Sequence, residues 1–346
     1  MKVTMKDIAQ QLGVSINAVS IALNEKEGVS DVLRLKILRT ADQMGYVNVH
    51  KKYLSVLSKT NICILMQDYY FYCHDEMNTS NLYKSIIESM VKHAGKNGYN
   101  AVLQLFNDQH FELPQSALER KISGFIVIGK IHDDNLRQVK QLGIPVVLVD
   151  YTSLLNPCDC VLTHNKQGGY MMTMHLLYKG YQKIGFFGDL NYSMSFEDRF
   201  IGYRQALMIH HMVDDKSFAQ WVQEYCFLGD MEKYVLNDDI DAIEAILRSK
   251  PLPEVLFCAN DSNAYCVCEA LKRMGKSIPD DIGVVGFDDV ELCEQMDPQL
   301  TSVHIQKDLM GEIAVYYLIE KILKKRTSFI TQLLNVTITS RHSIKD

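Results

Sequence analysis

The chain has 346 residues, of which 47% are hydrophobic and 23% charged, as in a globular protein with a sizeable core that is too long to be one small domain. These values exclude disorder, collagen-like repeats and a membrane class: apolar runs such as Ile144 to Val149 and Ile282 to Val285 are strand-sized, well short of the roughly 18 to 20 residues a membrane span needs. Charge is unevenly placed, since residues 1–60 carry nine Lys/Arg against five Asp/Glu (net +4), which leaves 27 against 37 (net −10) for the remaining 286. A small basic head that meets a polyanion and an acidic body with another task are therefore expected. From Thr4 to Tyr46 there are five charges of each sign, so the surplus comes from Lys2 and from Lys51, Lys52 and Lys59.

No basic stretch followed by an apolar segment opens the chain, because Asp7, Gln10 and Gln11 intervene; export is not expected and a cytosolic location is. The nine cysteines are odd in number and sit mostly in apolar runs, so reduced thiols are expected. The pairs Cys158/Cys160 and Cys266/Cys268 lack a second Cys or His pair at zinc-like spacing, and no metal or cofactor is expected.

The first 46 residues read as three short helices. Thr4-Met-Lys-Asp7 fits a capping box, Ile8, Ala9 and Leu12 share one face, and Gly13 ends the first helix. Ser15 caps a second, with Ala18, Val19, Ala22 and Leu23 turned inward. Ser30 caps a third, in which Val32, Leu35, Leu38 and Met44 recur at helical spacing before Gly45. Helix, tight Gly-containing turn, helix is the arrangement that puts a second helix into the DNA major groove, although a bundle used only for packing has the same pattern.

The run Val3-Thr-Met-Lys-Asp-Ile-Ala-Gln-Gln-Leu-Gly-Val-Ser-Ile-Asn-Ala-Val-Ser-Ile-Ala-Leu-Asn24, with Gly28-Val-Ser30 and Met44-Gly-Tyr46, resembles the headpiece of the lac repressor family. The resemblance implies that Thr4, Ser15, Ser20, Asn24 and Ser30 touch phosphates while Ile16, Asn17 and Ile21 face base edges. Where that family usually has Thr-Val-Ser-Arg, this chain has Ala18-Val-Ser-Ile21. An alkyl group cannot donate to guanine O6/N7 but can pack on a thymine methyl, so an operator shifted away from G at that position is expected, with Asn17 able to pair with adenine. Packing of Ile21 on the third helix is the competing role. In the linker, Tyr46 to Thr60, the usual proline is missing; Leu54 is the candidate minor-groove wedge, with Leu57 as the other, and Lys51 replaces a small residue of the hinge helix.

From residue 61 on, strand and helix alternate. Strands are expected at Ile62–Met66, Ala101–Leu105, Gly124–Ile128, Val146–Val149, Ile184–Phe187, Leu256–Ala259 and Ile282–Val285, with helices at Leu82–Ala94, Gln167–Leu177 and Phe196–Ile209 and a strand at Tyr225-Cys-Phe227. Alternation of this kind predicts parallel sheets with helices on both faces, and the strand number predicts two subdomains with a ligand cleft at the strands' carboxyl ends. A two-domain enzyme has the same strand pattern. The segments Ile144–Asp150, Lys183–Phe187, Asp198–Tyr203, Phe257–Asp261, Val284–Asp289, Pro298–Val303 and Met310-Gly311 extend the resemblance and imply a periplasmic-binding-protein-like core crossed three times by the chain. The familiar Asp-Asn pair after the first crossover is here His164-Asn165.

The expected organisation is an all-α helix-turn-helix headpiece over 1–47, a hinge over 48–60 and an α/β core of two parallel-sheet subdomains over 61–346. The first subdomain is expected from about 61–160 and 291–323, the second from about 161–290 and 324–346. By resemblance, Arg199, Asp261 and Asp288 bind an effector. Asp68, Tyr69 and Tyr70 follow the first core strand and are candidates for the opposite wall, and Phe227 for stacking on a ring. Asp261 has a competing role as the N-cap of a helix over Ser262–Met274. The expected function is a homodimeric DNA-binding regulator, a repressor, acting on a pseudo-palindromic operator and controlled by a small polar effector, a sugar or sugar derivative. The alternatives are a purine or nucleoside corepressor sensor, or a sugar-binding protein or enzyme on the same fold.

Overall fold

The computed structural model describes residues 3–24, 26–46, 61–72 and 80–345. The head contains α1 (Met5–Leu12), α2 (Ile16–Leu23) and α3 (Asp31–Gln43). Each starts where a short polar side chain holds its first turn. The Asp7 carboxylate accepts from both the amide (2.8 Å) and the hydroxyl (2.7 Å) of Thr4. Ser15 accepts from the Ala18 N–H at 3.0 Å and Ser30 from the Leu33 N–H at 3.2 Å. Gly13, at φ +64°, ends α1 in the left-handed conformation that costs glycine nothing. Ile8, Val19, Ala22, Ile37 and Leu38 are central to a core belonging to the head alone.

The first sheet is laid down by β1 (Asn61–Gln67), β2 (Asn100–Phe106), β3 (Gly124–Ile128), β4 (Val146–Val149) and β5 (Asp159–Thr163), with α4 (Asp68–Tyr72), α5 (Ser80–Lys96), α6 (Gln115–Leu118) and α7 (Asp133–Gln141) between them. After α8 (Asn165–Tyr178) come β6 (Ile184–Gly188), α9 (Met194–Ile209), α10 (Phe218–Tyr225), β7 (Phe227–Leu228), α11 (Glu232–Val235) and α12 (Ile240–Arg248). The second sheet continues through β8 (Val255–Cys258), α13 (Asp261–Arg273), β9 (Gly283–Asp288), α14 (Leu292–Gln295) and β10 (Thr301–His304). Last come α15 (Lys307–Ile322), β11 (Thr331–Leu334) and β12 (Thr337–Thr339).

Strand order is β2-β1-β3-β4-β5-β11 in one sheet and β7-β6-β8-β9-β10-β12 in the other. Only the last pair, β10 with β12, is antiparallel among the described strands. The two sheets thus repeat one wiring. In each, the chain reverses direction of travel beside the first strand, β1 or β6, and at such a switch point the loops diverge and leave a crevice outside the carboxyl ends.

Two expected crossovers move. β10 pairs in parallel with β9 (Thr301↔Val285 to His304↔Asp288) and so belongs to the second sheet, whereas residues from 291 were expected in the first. β11 pairs with β5 (Thr331↔Cys160 to Leu334↔Thr163) and belongs to the first, whereas residues from 324 were expected in the second. Both strands have four residues, and so short an apolar stretch carries no mark of which sheet it joins. Between them α15 lies against α5: Ser89 Oγ donates to the Asp308 carbonyl at 2.6 Å, and a Cβ on Gly311 would stand 2.7 Å from the Ile86 carbonyl. The expected strand at Tyr225 also shifts. Tyr225 closes α10, and β7 holds only Phe227 and Leu228.

Candidate functional site

On the head, the first turn of α2 presents Ile16 (51% exposed) and Asn17 to solvent, while Val19 is fully buried beneath them. An exposed isoleucine beside an exposed amide on a short capped helix is the surface a base-reading helix needs. Thr4, Ser15 and Ser30 stand at the three helix starts. Asn24 folds its amide back onto the Ser20 carbonyl at 2.9 Å, so these two stand together at the end of α2. Ile21 is half-buried, and its Cδ1 lies 3.4 Å from where a Cβ on Gly28 would be. Its side chain therefore packs partly against the loop before α3, and only the remainder is available to a base. Arg34 reaches across from α3 to the carbonyls of Ile21 and Ala22 (3.3 and 3.1 Å), fixing the end of α2 to the bundle. Lys51, Lys52 and Leu54 lie outside the described residues, as does Leu57.

Between the two sheets is a cavity of about 380 Å³. Its central group is Arg199, 3% exposed, on α9. Two glycines put it there: a Cβ on Gly169 of α8 would sit 2.0 Å from the Arg199 carbonyl, and one on Gly202 of α9 2.1 Å from the Lys166 carbonyl. Without side chains at the crossing the two helices meet backbone to backbone, and the first residue of α8 comes within reach of the guanidinium. Arg199 Nε donates to Asn165 Oδ1 (2.9 Å), Nη1 to the Ala259 carbonyl (2.6 Å) and Nη2 to Asp288 Oδ1 (2.9 Å). The guanidinium carbon stands 3.7 Å from the Phe287 ring centroid, an added attraction in a water-poor site.

Asp150 and Asp288, at the carboxyl ends of β4 and β9, both have positive φ, 56° and 104°. Backbone strain of this kind at two strand ends facing one cleft is characteristic of binding sites. Burial pushes the Asp150 carboxyl up to about 6, opposed by Arg199 and by the Tyr83 hydroxyl, which donates to it at 3.0 Å. Burial also raises Asp288, against the pull of Arg199 and Lys307. Lys307 holds the Asp288 carbonyl at 2.6 Å and that of Asp289 at 2.8 Å, so the strand end is clamped from the segment that crosses between sheets.

Of the residues expected in the cleft, Tyr70, Arg199 and Asp288 line it. Tyr69 does not, but its hydroxyl is 3.5 Å from that of the lining residue Tyr192. Asp68 opens α4 and accepts from Asn107 and from the Tyr69 N–H, outside the lining. Phe227 is a core residue: it is 3% exposed, packs on Phe187 and lies under the Lys250 ammonium, because β7 ends one side of the second sheet where α12 covers it. Asp261 is likewise internal, accepting from Ser302 Oγ (2.6 Å) and the Val290 N–H (3.0 Å), and burial raises its carboxyl with Asp288 adding to the effect. Nor is Asp261 a helix cap: Asn260 caps α13 through the Asn263 N–H at 2.8 Å, and Asp261 is the first residue inside.

Residues 4–48 match the model for bacterial regulatory proteins of the lacI family, and residues 173–344 match that for a periplasmic binding protein-like domain. The chain belongs to the lacI family of bacterial regulatory proteins. Over 329 residues (93% of this chain, 92% of the relative) it is 25% identical to the HTH-type transcriptional repressor PurR of Vibrio vulnificus. Over 348 residues (99% and 98%) it is 26% identical to the ribose operon repressor of Haemophilus influenzae. The lac repressor dimer bound to operator and the anti-inducer ONPF matches with a TM-score of 0.66 at 21% or lower identity, namely 20%, over 99% of both chains.

In this lacI-family chain the cleft also contains Tyr83, Lys130, Asp150, Asn165, Tyr192 and Asn260, none of them anticipated as site residues. Asp150, Asn165 and Asn260 each end or adjoin a recognised segment, and position directly after a buried strand was the signal available. His164 has a clear job: its Nδ1 accepts from the Gln167 N–H at 3.4 Å, the capping role an aspartate would fill, which leaves Asn165 for Arg199. Among the described residues no three His, Cys, Asp or Glu side chains are grouped to hold a metal, and no helix is long and apolar enough to cross a membrane.

Proposed function

We propose that the chain is a homodimeric transcriptional repressor in which the α2 helices of two copies read a pseudo-palindromic operator and a small polar effector, a sugar or sugar derivative, binds between the two sheets. The observation that carries this reading is the joining, in one chain, of a solvent-presented α2 to a cleft whose charged groups are buried and held across both sheets. A guanidinium flanked by carboxylates and amides at strand ends suits a ligand with several hydroxyls, each of which both donates and accepts. Control follows if one relative placement of the sheets binds effector better than another, and only by that difference in affinity. Nothing in the cleft has the nucleophile-and-base geometry of a hydrolase or a phosphate loop, and the reading is of a regulator without enzymatic activity.

A second reading, a purine-type corepressor sensor, is favoured by the PurR relatives together with the aromatic walls Tyr70, Tyr83, Tyr192 and Phe196, which could stack on a flat ring. Selection of bound duplexes from random DNA by the full chain tests the first part: an inverted repeat with no fixed G opposite Ile21 is expected, and failure to enrich any symmetric site overturns it. Thermal-shift screening with sugars and nucleobases separates the two effector classes by which one raises stability.

A further inference from the structure

The cleft's charges do not balance. Its lining has two cations, Lys130 and Arg199, against four acids, Asp150, Glu197, Asp198 and Asp288. Each of the three guanidinium nitrogens of Arg199 already has a protein acceptor, and its charge is matched by Asp288. Asp150 meets no cation among the described residues, and its one described side-chain donor is Tyr83.

A second carboxyl lies just under the lining. Glu232, at the start of α11, is 2% exposed. Its Oε2 accepts from Asn263 Nδ2 at 3.0 Å, and the same Nδ2 reaches Oδ1 of the lining residue Asn260 at 2.7 Å. Two buried acceptors are then left with no donor among the described residues, Glu232 Oε1 and Asn263 Oδ1. Glu232 is within electrostatic reach of Arg199, Asp288, Tyr70 and Tyr192, all lining residues, so this pair faces the cavity from its floor. Tyr70 feels both Asp150 and Glu232, which puts the two carboxyls around one ring.

Unpaired buried acceptors are costly, and a carboxylate among them selects what fills the gap. A hydroxyl brings one hydrogen and two further lone pairs, whereas an ammonium brings three hydrogens, a positive charge and no acceptor. A phosphate would face four acids with Arg199 already engaged. We propose that the effector carries a protonated amino group, seated at the Glu232–Asn263 floor with Asp150 on the opposite wall, and that it belongs to the amino sugars or comparable polyhydroxylated amines. This rests on the cleft being the effector site, as proposed above.

The test is calorimetric titration of the full chain, in mildly acidic buffer that keeps amines protonated, with glucosamine, galactosamine and mannosamine, their parent hexoses, their N-acetyl derivatives and the hexose 6-phosphates. At least one amino sugar is expected to bind about tenfold or more tightly than its parent and its N-acetyl form, the size of a hydrogen-bonded charge. Glu232→Gln keeps the shape and the bond to Asn263 and should abolish most of that preference; Asp150→Asn, at a more accessible position, should reduce it if Glu232→Gln does not fold. Parent hexoses or phosphates binding as well as the amines, or a preference that survives both substitutions, overturns the amino group while leaving a sugar-binding cleft standing. Binding by none of these compounds overturns the amino-sugar assignment and the sugar reading together.

Discussion

In the headpiece the polar side chains are tied down close to themselves in sequence, Thr4 to Asp7, Ser15 to Ala18 and Asn24 to Ser20, whereas in the cleft Arg199 reaches partners 34, 60 and 89 residues away. The head keeps its reading face in solvent and lets a small apolar core hold three short helices. The cleft removes its charges from water and makes them depend on one another and on both sheets. A partner can therefore be added to the head without rearranging it, but a ligand in the cleft must enter an existing network, and this is what allows binding there to alter the placement of the two halves.

The sharpest way to break that contrast is Arg199→Ala. It leaves Asp288 buried without its cation, and a loss of about 3–5 kcal/mol in urea unfolding is expected. A loss near that of a surface substitution would mean the network is not what joins the halves.

Glu232 gives a pH-dependent version. Burial raises its carboxyl from 4.5 to about 7, so the native state holds a proton that the unfolded chain releases earlier. Native stability contributed by this group is thus unimpaired below about 4.5 and is lost as pH climbs through the interval to about 7. Glu232→Gln cannot titrate; relative to the parent it should gain stability across that interval, to at most about 3 kcal/mol above it. A constant difference from acid to neutral pH in thermal unfolding would contradict this.

Substitutions in the head should act on affinity instead. Asn17→Ala is expected to weaken binding to the selected operator by about 1–3 kcal/mol and leave the urea midpoint unchanged, because the side chain is exposed. Asp134→Ala, which removes an exposed pair with Arg137 on α7, should change stability by less than about 0.5 kcal/mol and operator affinity not at all.

The same contrast decides how much could be read from residues alone. The head's caps, turn and apolar faces are encoded within a few positions, and all three helices start where Thr4, Ser15 and Ser30 indicate. The core strands were legible as apolar runs, and Arg199 and Asp288 as strand-end or helix residues in recognisable segments. What was not legible was pairing at a distance. Nothing local in Thr301–His304 or Thr331–Leu334 says which sheet receives it, nothing in Asp261 says that Ser302 and Val290 occupy its oxygens, and Phe227 reads as a ligand-facing ring only until α12 is seen to cover it. Asn165 became a site residue because Gly169 and Gly202 let two helices touch, a relation that exists only in three dimensions.

The most direct measurement is fluorescence anisotropy of the full chain on the selected inverted repeat and on a duplex of equal length carrying a single half-site, each at low and moderate salt. Much tighter binding to the full repeat, with both affinities falling as salt rises, is the expected result for two α2 helices reading one site. Equal affinity for the two duplexes, or binding indifferent to salt, would contradict it.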